Sequence, residues 1–139
     1  MLPEGGYELL EHTADLGVHA WGPSVPVAFE HAARALSEVM GVHVTGPGRR
    51  RVVKARAEDR AGLLIAFLNE LIWLHETETR GFAEIDVIAV SANDLVAEVE
   101  LAPLPEGVEG AGVKAATYHQ LRVEDGPSGT VDIRVFLDV

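Results

Sequence analysis

Two stretches of the chain repeat apolar residues every three or four positions, which is the period of an amphipathic α-helix. The first stretch follows Ser24, a residue type that often caps helix N-termini, and runs to about Met40. Gly41 comes next, at the position where helices commonly end in a left-handed backbone conformation. The pattern therefore predicts a first helix that begins after Ser24 and ends at Gly41.

The second helical pattern starts at Asp59, which can also act as an N-cap, and continues through about Glu78. Its apolar face is spaced three and four residues apart and comprises Leu64, Phe67, Leu68, Leu71, Ile72 and His75. We expect Gly81 to break this helix. The chain thus carries two predicted helices.

The remaining segments alternate apolar and polar residues, which is typical of β-strands with one buried face. Predicted strands cover residues 7–12, 16–21, 52–57, 82–90, 95–101, 113–124 and 131–138. Residues 103–112 contain two prolines and three glycines and are predicted to form a surface loop. Strands segregated from two helices indicate an α+β fold. We predict a single two-layer domain over residues 1–139, with the helices packed on a mostly antiparallel or mixed β-sheet.

Composition narrows the class of protein. The chain has 139 residues, of which 47% are hydrophobic, so it can bury a substantial core. No apolar run approaches the roughly 20 residues of a membrane helix, and the first residues lack the pattern of a signal peptide. The absence of cysteine excludes disulfides and thiolate metal sites. We therefore expect a cytoplasmic protein without a membrane partner.

The formal net charge of −11 argues against direct sequence-specific binding of nucleic acid. The one basic cluster, residues 49–56, contains four arginines and a lysine but leads into an alternating strand pattern. We interpret it as the solvated face of a strand. An acidic chain of this kind suits cations or a basic protein partner.

Motifs of several enzyme classes are missing from the sequence. The glycines do not form a phosphate-binding or dinucleotide-binding loop, no GxSxG motif occurs, and neither helix carries a zinc-binding histidine pair. The sequence therefore offers little support for a stand-alone enzyme.

Three segments could still carry chemistry. Residues 11–17 place polar groups, including His12 and Asp15, at a tight turn between two strands. The final strand ends in Asp138 and Val139, which bring a side-chain carboxylate beside a terminal one. If Asp15 lay nearby, the carboxylates would repel one another and require a cation, and oxygen ligands favour Ca²⁺ or Mg²⁺, with Mn²⁺ also suitable. Without such convergence, these are an ordinary turn and an exposed acidic end.

The third segment begins at Lys114, one of only two lysines in the chain, and continues through Tyr118 and His119. A lone lysine on a strand is usually a solvated charge, and a lone histidine is usually packed or hydrogen-bonded. Their clustering after a glycine-rich loop marks this segment as a candidate site.

Together these segments resemble the archease family. The matching stretches are 11–17, 29 with 32–36, 67–74, 113–119 and 138–139, and they follow the order found in the family across nearly the whole chain. The resemblance implies an auxiliary protein that activates the GTP-dependent RNA-splicing ligase of the RtcB family. Such an activator promotes guanylylation of the ligase, allows multiple turnovers and broadens nucleotide use.

The resemblance also implies roles for single residues. Asp15 and Asp138 would bind a divalent metal ion, and oxygens of Val139 would complete the site. Lys114 would act in ligase activation, with His12 and His119 as supporting groups.

Two alternatives remain open at this point. The family has also been proposed to modulate a tRNA cytosine methyltransferase in the manner of a chaperone. A metal-dependent phosphoester hydrolase could use the same carboxylates, although the sequence shows no clear general base.

Overall fold

In the computed structural model, which describes residues 4–11, 15–108, 110 and 112–139, two helices pack against two antiparallel sheets. The strands are β1 (Gly6–Glu11), β2 (Asp15–Gly22), β3 (Arg49–Arg56), β4 (Arg80–Val90), β5 (Asp94–Pro103), β6 (Ala115–Asp125) and β7 (Val131–Asp138). The helices are α1 (Val25–Met40) and α2 (Arg60–Glu78). The predicted α+β fold is confirmed.

The strands form two sheets rather than one. Sheet A has the order β1-β2-β7-β6 and sheet B the order β3-β5-β4, and every paired strand is antiparallel. Both helices contact both sheets: α1 lies mainly against β2 and β4, and α2 mainly against β6 and β3. The core therefore fills the space between the inner faces of the two sheets and the helices.

Both helix starts agree with the sequence. Ser24 caps α1 by accepting a hydrogen bond from the Val27 N–H at 3.4 Å, and Asp59 caps α2 by accepting one from the Gly62 N–H at 2.7 Å. Gly41 ends α1 with a φ of 69°, as predicted. Neither helix, within the described part of the chain, is long and apolar enough to cross a membrane.

α2 ends at Glu78, as predicted, but Gly81 is not the residue that ends it. Thr79, with a φ of 55°, terminates the helix, and Gly81 already belongs to β4. A Cβ at Gly81 would lie 2.4 Å from the backbone oxygen of Val42. Glycine is thus needed at position 81 because another segment crosses closely there, and not because the helix stops.

Strand boundaries shift by a few residues from those predicted. β3 begins at Arg49, and β6 begins at Ala115 instead of residue 113. Two arginines of β3 have carboxylate neighbours on β5: Arg50 contacts Glu98 at 2.9 Å, and Arg56 contacts Asp94 at 3.5 Å. The basic cluster is therefore a solvated strand face with acidic neighbours.

Candidate functional site

The two distant acidic segments meet at one end of the central strands of sheet A. β2 and β7 pair so that Asp15 lies directly opposite Asp138. Residues directly opposite in an antiparallel pair project their side chains to the same face, with Cβ atoms about 5 Å apart. Two carboxylates separated by more than a hundred residues in sequence therefore lie side by side.

The register follows from the apolar pattern of the two strands. Leu16, Val18 and Ala20 pair with Leu137, Val135 and Ile133, and these side chains form the inner face of the sheet. Because the side-chain period of a strand is two residues, a slip by one position would turn the apolar residues outward. Burial of the inner face therefore sets which polar residues meet on the outer face.

Lys114 joins the same end of the sheet through its backbone. Its N–H donates to the Asp138 carbonyl at 2.8 Å, and Ala115 lies opposite Asp138 in the β6–β7 pair. Asn69 on α2 holds the next residue from the other side: its Oδ1 accepts from the Ala116 N–H at 2.8 Å. α2 thus helps to fix the start of β6 beside the acidic pair. We call Asp15, Asp138, Val139 and Lys114 the acidic tip.

The acidic tip is exposed to ligands. Asp15 and Asp138 are half-buried, Lys114 is exposed, and Val139 is 53% exposed. Among the described residues, no ion pair reaches either aspartate. The described residues also hold no cluster of three or more His, Cys, Asp or Glu that could bind a metal. Any ion here would depend on two carboxylates, backbone oxygens and water.

The other two residues predicted for the site are His119 and His12. His119 lies further along β6 and packs edge-on against Phe136, with ring centroids 6.3 Å apart, two positions from Asp138. His12 lies outside the described residues.

A second cluster on the same outer face was not predicted. His19 lies between two carboxylates: Nδ1 is 2.8 Å from Glu8 Oε1, and Nε2 is 2.7 Å from Asp132 Oδ1. Both ring nitrogens can donate at once only in the imidazolium form. Burial would lower the pKa of His19, but the hydrogen bonds to Asp132 and Glu8 outweigh it and raise the pKa above its usual value.

The His19 cluster joins three strands, since Glu8 is on β1, His19 on β2 and Asp132 on β7. The Trp21 ring lies 5.0 Å from the imidazole, and a cavity of about 340 Å³ opens beside them. The sequence signal for this cluster was that His19 and Trp21 alternate with apolar residues in β2. It became interpretable only once the neighbouring strands were known.

Comparison with known proteins gives a consistent result. The model of the Archease protein family (MTH1598/TM1083) matches residues 7–139. Protein archease of Methanothermobacter thermautotrophicus is 34% identical over 139 residues, covering 96% of this chain and 99% of that protein. Protein archease of Thermococcus gammatolerans is 37% identical over 129 residues, covering 88% of this chain and 91% of that protein.

Two solved structures share the fold. The solution structure of Methanobacterium thermoautotrophicum protein 1598 superposes with a TM-score of 0.77 at 32% identity, covering 96% of this chain and 99% of that one. The crystal structure of an archease from Thermotoga maritima, described as a possible chaperone, gives a TM-score of 0.66 at 22% identity, with 94% of each chain covered.

Proposed function

Because this chain belongs to the archease family, we propose that it is a protein activator of a GTP-dependent RNA ligase of the RtcB type, acting in the cytoplasm, and not an enzyme by itself. The observation that supports this most is the pairing of Asp15 with Asp138 beside Lys114. These are the residues to which the family resemblance assigns metal binding and activation.

The residues of the acidic tip suit a hard divalent cation. Two like charges placed directly opposite each other in a sheet repel, and a cation would relieve that repulsion. Carboxylate and carbonyl oxygens are the ligands of Ca²⁺, Mg²⁺ and Mn²⁺. We assign Asp15 and Asp138 to bind the ion, and the backbone oxygens of Val139 to complete the site. When bound, the ion would supply positive charge to phosphate oxygens at the ligase.

Charge would guide docking. A ligase channel that binds RNA and GTP must be basic, and a partner of net charge −11 is attracted to it over a distance of about one Debye length. The acidic tip would then lie near the nucleotide. Lys114 would contact a phosphate or a carboxylate of the ligase, and His12 and His119 would support this surface.

The proposal is tested by following covalent guanylylation of a cognate ligase with GTP and a divalent metal. We expect stimulation by the native protein, and a loss of about tenfold or more in Asp15→Asn and Asp138→Asn, the range seen when groups around a metal are removed. Glu124→Gln is the matched control, since this exposed carboxylate lies on the same sheet away from the acidic tip. Full stimulation by a double Asp15→Asn, Asp138→Asn variant would overturn the proposal.

Lys114 has a natural control in Lys54, the only other lysine of the chain, which lies on sheet B. Lys114→Ala should reduce guanylylation while metal binding, measured by calorimetry, persists. Lys54→Ala should leave both unchanged. Equal effects of the two substitutions would contradict a specific role for Lys114.

A chaperone-like action on a tRNA methyltransferase is a second candidate, favoured by the description of the Thermotoga maritima structure as a possible chaperone. Affinity capture from lysate of the source organism, comparing recovery of ligase and methyltransferase, separates the two. Selective recovery of the methyltransferase, together with no stimulation of the ligase, would favour this candidate over the first.

A further inference from the structure

An open groove of about 870 Å³ separates the facing edges of the two sheets. Gly6 and Tyr7 of β1 line one side, and residues 83–86 of β4 line the other. The floor is helix α1, which contributes His31, Arg34, Ser37 and Glu38. Tyr7 lies four residues along β1 from Glu11, the end of the strand nearest Asp15, or about 13 Å. This β1–β4 groove is therefore distinct from the acidic tip.

The edge of β4 is closed at both ends of the groove. At one end, the Phe82 N–H donates to the Val42 carbonyl at 2.8 Å, and the Val44 N–H donates to the Phe82 carbonyl at 3.1 Å. At the other, the Val87 N–H donates to Glu30 Oε1 at 3.0 Å. Such contacts protect a strand edge from pairing with other chains. Between these two contacts, residues 83–86 have no covering segment in the described part of the chain.

Backbone groups within this gap face the groove. The β4–β5 register runs without interruption from Glu84 to Val87. Since backbone direction alternates along an antiparallel strand, Ile85 points its N–H and C=O to the same side as the Val87 N–H, away from β5. No described residue bonds to Ile85 on that side. Residues 83–86 thus offer one donor and one acceptor, the N–H and the C=O of Ile85, to a strand that adds at this edge.

A buried hydroxyl supports the same conclusion. Ser37 is 1% exposed, lines the groove, and its Oγ has no hydrogen-bond partner among the described residues. Leaving a buried hydroxyl without a hydrogen-bond partner destabilises the protein. A ligand that brings polar backbone groups into the groove could satisfy it.

The charges that line the groove favour a basic occupant. Its lining includes three carboxylates, Glu38, Glu84 and Asp86, against one guanidinium. That guanidinium, Arg34, already pairs with Glu30 at 3.2 Å. Arg50 approaches Glu84 and Asp86 only at 3.7 and 4.0 Å, because its closest partner is Glu98. A second copy of this chain, with net charge −11, would be repelled.

We propose that an extended, basic segment of a partner protein binds in the β1–β4 groove by adding as a strand to the open edge of β4. Main-chain hydrogen bonds to Ile85 would supply affinity, and the carboxylates would favour lysine or arginine on alternate positions. This interaction does not depend on the acidic tip or on activation of a ligase.

The test uses the full chain and a short synthetic peptide in which valine and lysine alternate. Titration is followed by ¹H–¹⁵N NMR and by amide hydrogen exchange. We expect chemical-shift changes centred on residues 83–86 and slower exchange of the Ile85 amide. Peptides N-methylated at alternate residues keep their charge but lose the hydrogen bonds of one edge. One of the two methylation registers should abolish binding.

Charge variants complete the experiment. A Glu84→Gln, Asp86→Asn double variant should bind the peptide about fivefold more weakly at low salt. Glu98→Gln is the matched control, since Glu98 contacts the same Arg50 but does not line the groove. Equal binding of a valine–glutamate peptide, tolerance of both methylation registers, or no protection of Ile85 would each overturn the proposal. Concentration-dependent dimerisation that protects Ile85 without peptide would do so as well.

Discussion

Two carboxylate pairs lie on the outer face of sheet A, and they differ in what neutralises them. In the first pair, Glu8 and Asp132 are bridged by His19, whose ring nitrogens lie 2.8 and 2.7 Å from their carboxylate oxygens. In the second pair, Asp15 faces Asp138, and no described residue forms an ion pair with either. The first pair is bridged by a histidine whose pKa is raised by its two carboxylate partners. The second pair has no such partner in the described part of the chain, which is why we propose an external cation for it.

An apolar row separates the two pairs. Gly17 lies opposite Phe136 and next to Leu10 on the outer face. A Cβ at Gly17 would lie 2.9 Å from both the Phe136 ring and the Leu10 Cβ, so glycine allows the ring to cover the sheet. Phe136 is 8% exposed although it is on the outer face. The two acidic pairs are thus kept apart by a packed ring, and the following predictions test that separation.

The largest expected effect is stabilisation by a divalent ion. With Ca²⁺ at about 100 times its Kd, the free energy of unfolding should rise by about 2.7 kcal/mol. Chelation should reverse the gain, and Asp15→Asn combined with Asp138→Asn should remove it, whereas Asp132→Asn should retain it. Chemical denaturation with and without Ca²⁺ measures the effect. An equal gain in the double variant would place the ion elsewhere.

Gly17→Val should lower the free energy of unfolding by about 2 kcal/mol, because the added side chain displaces Phe136 and Leu10. Urea denaturation gives the value. Gly112→Val, at a position where a Cβ meets no atom within 4 Å, is the control for the substitution without a clash. An unchanged stability of Gly17→Val would mean that the separating row is not tightly packed.

Asp132→Asn should destabilise the protein by about 1 kcal/mol at pH 6, since a charge-assisted hydrogen bond to His19 becomes a neutral one at a partly exposed site. Thermal unfolding monitored by circular dichroism is sufficient. No destabilisation would show that His19 is not held as an imidazolium.

The free energy of unfolding should also fall as the pH rises, because His19 loses its proton. Its pKa in the folded protein lies above the ordinary 6.5, so its contribution is complete below about pH 6.5 and is lost as the pH passes the folded-state pKa. We expect the loss of stability across this window to be smaller than the one caused by Asp132→Asn. The burial-lowered pKa of His31 acts in the opposite direction, so the wild type is compared with His19→Gln. Parallel pH profiles of the two proteins would contradict the assignment.

The smallest effect has the opposite sign. In chelator, Asp138→Asn should stabilise the protein by about 0.5 kcal/mol, because it relieves repulsion from Asp15. The same chemical change on the same strand thus destabilises at position 132 and stabilises at position 138. Added salt should reduce the gain at position 138. Destabilisation there, without metal, would show that the chain already neutralises this pair.

Features set by contacts within a few residues could be predicted from the sequence, whereas features set by contacts between distant segments could not. Ser24, Asp59 and Gly41 set helix ends through contacts within a few residues, and the sequence was sufficient to place them. Gly81 was misassigned because the atom that requires glycine there belongs to Val42, nearly forty positions away. The sequence also marked Asp15 and Asp138 as a pair worth testing. It did so only on the condition that folding brought them together.

Amphipathic periodicity and capping are local, so the helices, the strands and their inward faces could be predicted from the order of residues alone. Folding of the whole chain set which strands pair, and therefore that Asp15 faces Asp138 while His19 lies between Glu8 and Asp132. It also decided the division into two sheets that leaves residues 83–86 of β4 open. Strand pairing joins distant segments through backbone groups that are alike in every residue. Its outcome therefore depends on how all the apolar faces can be buried at once.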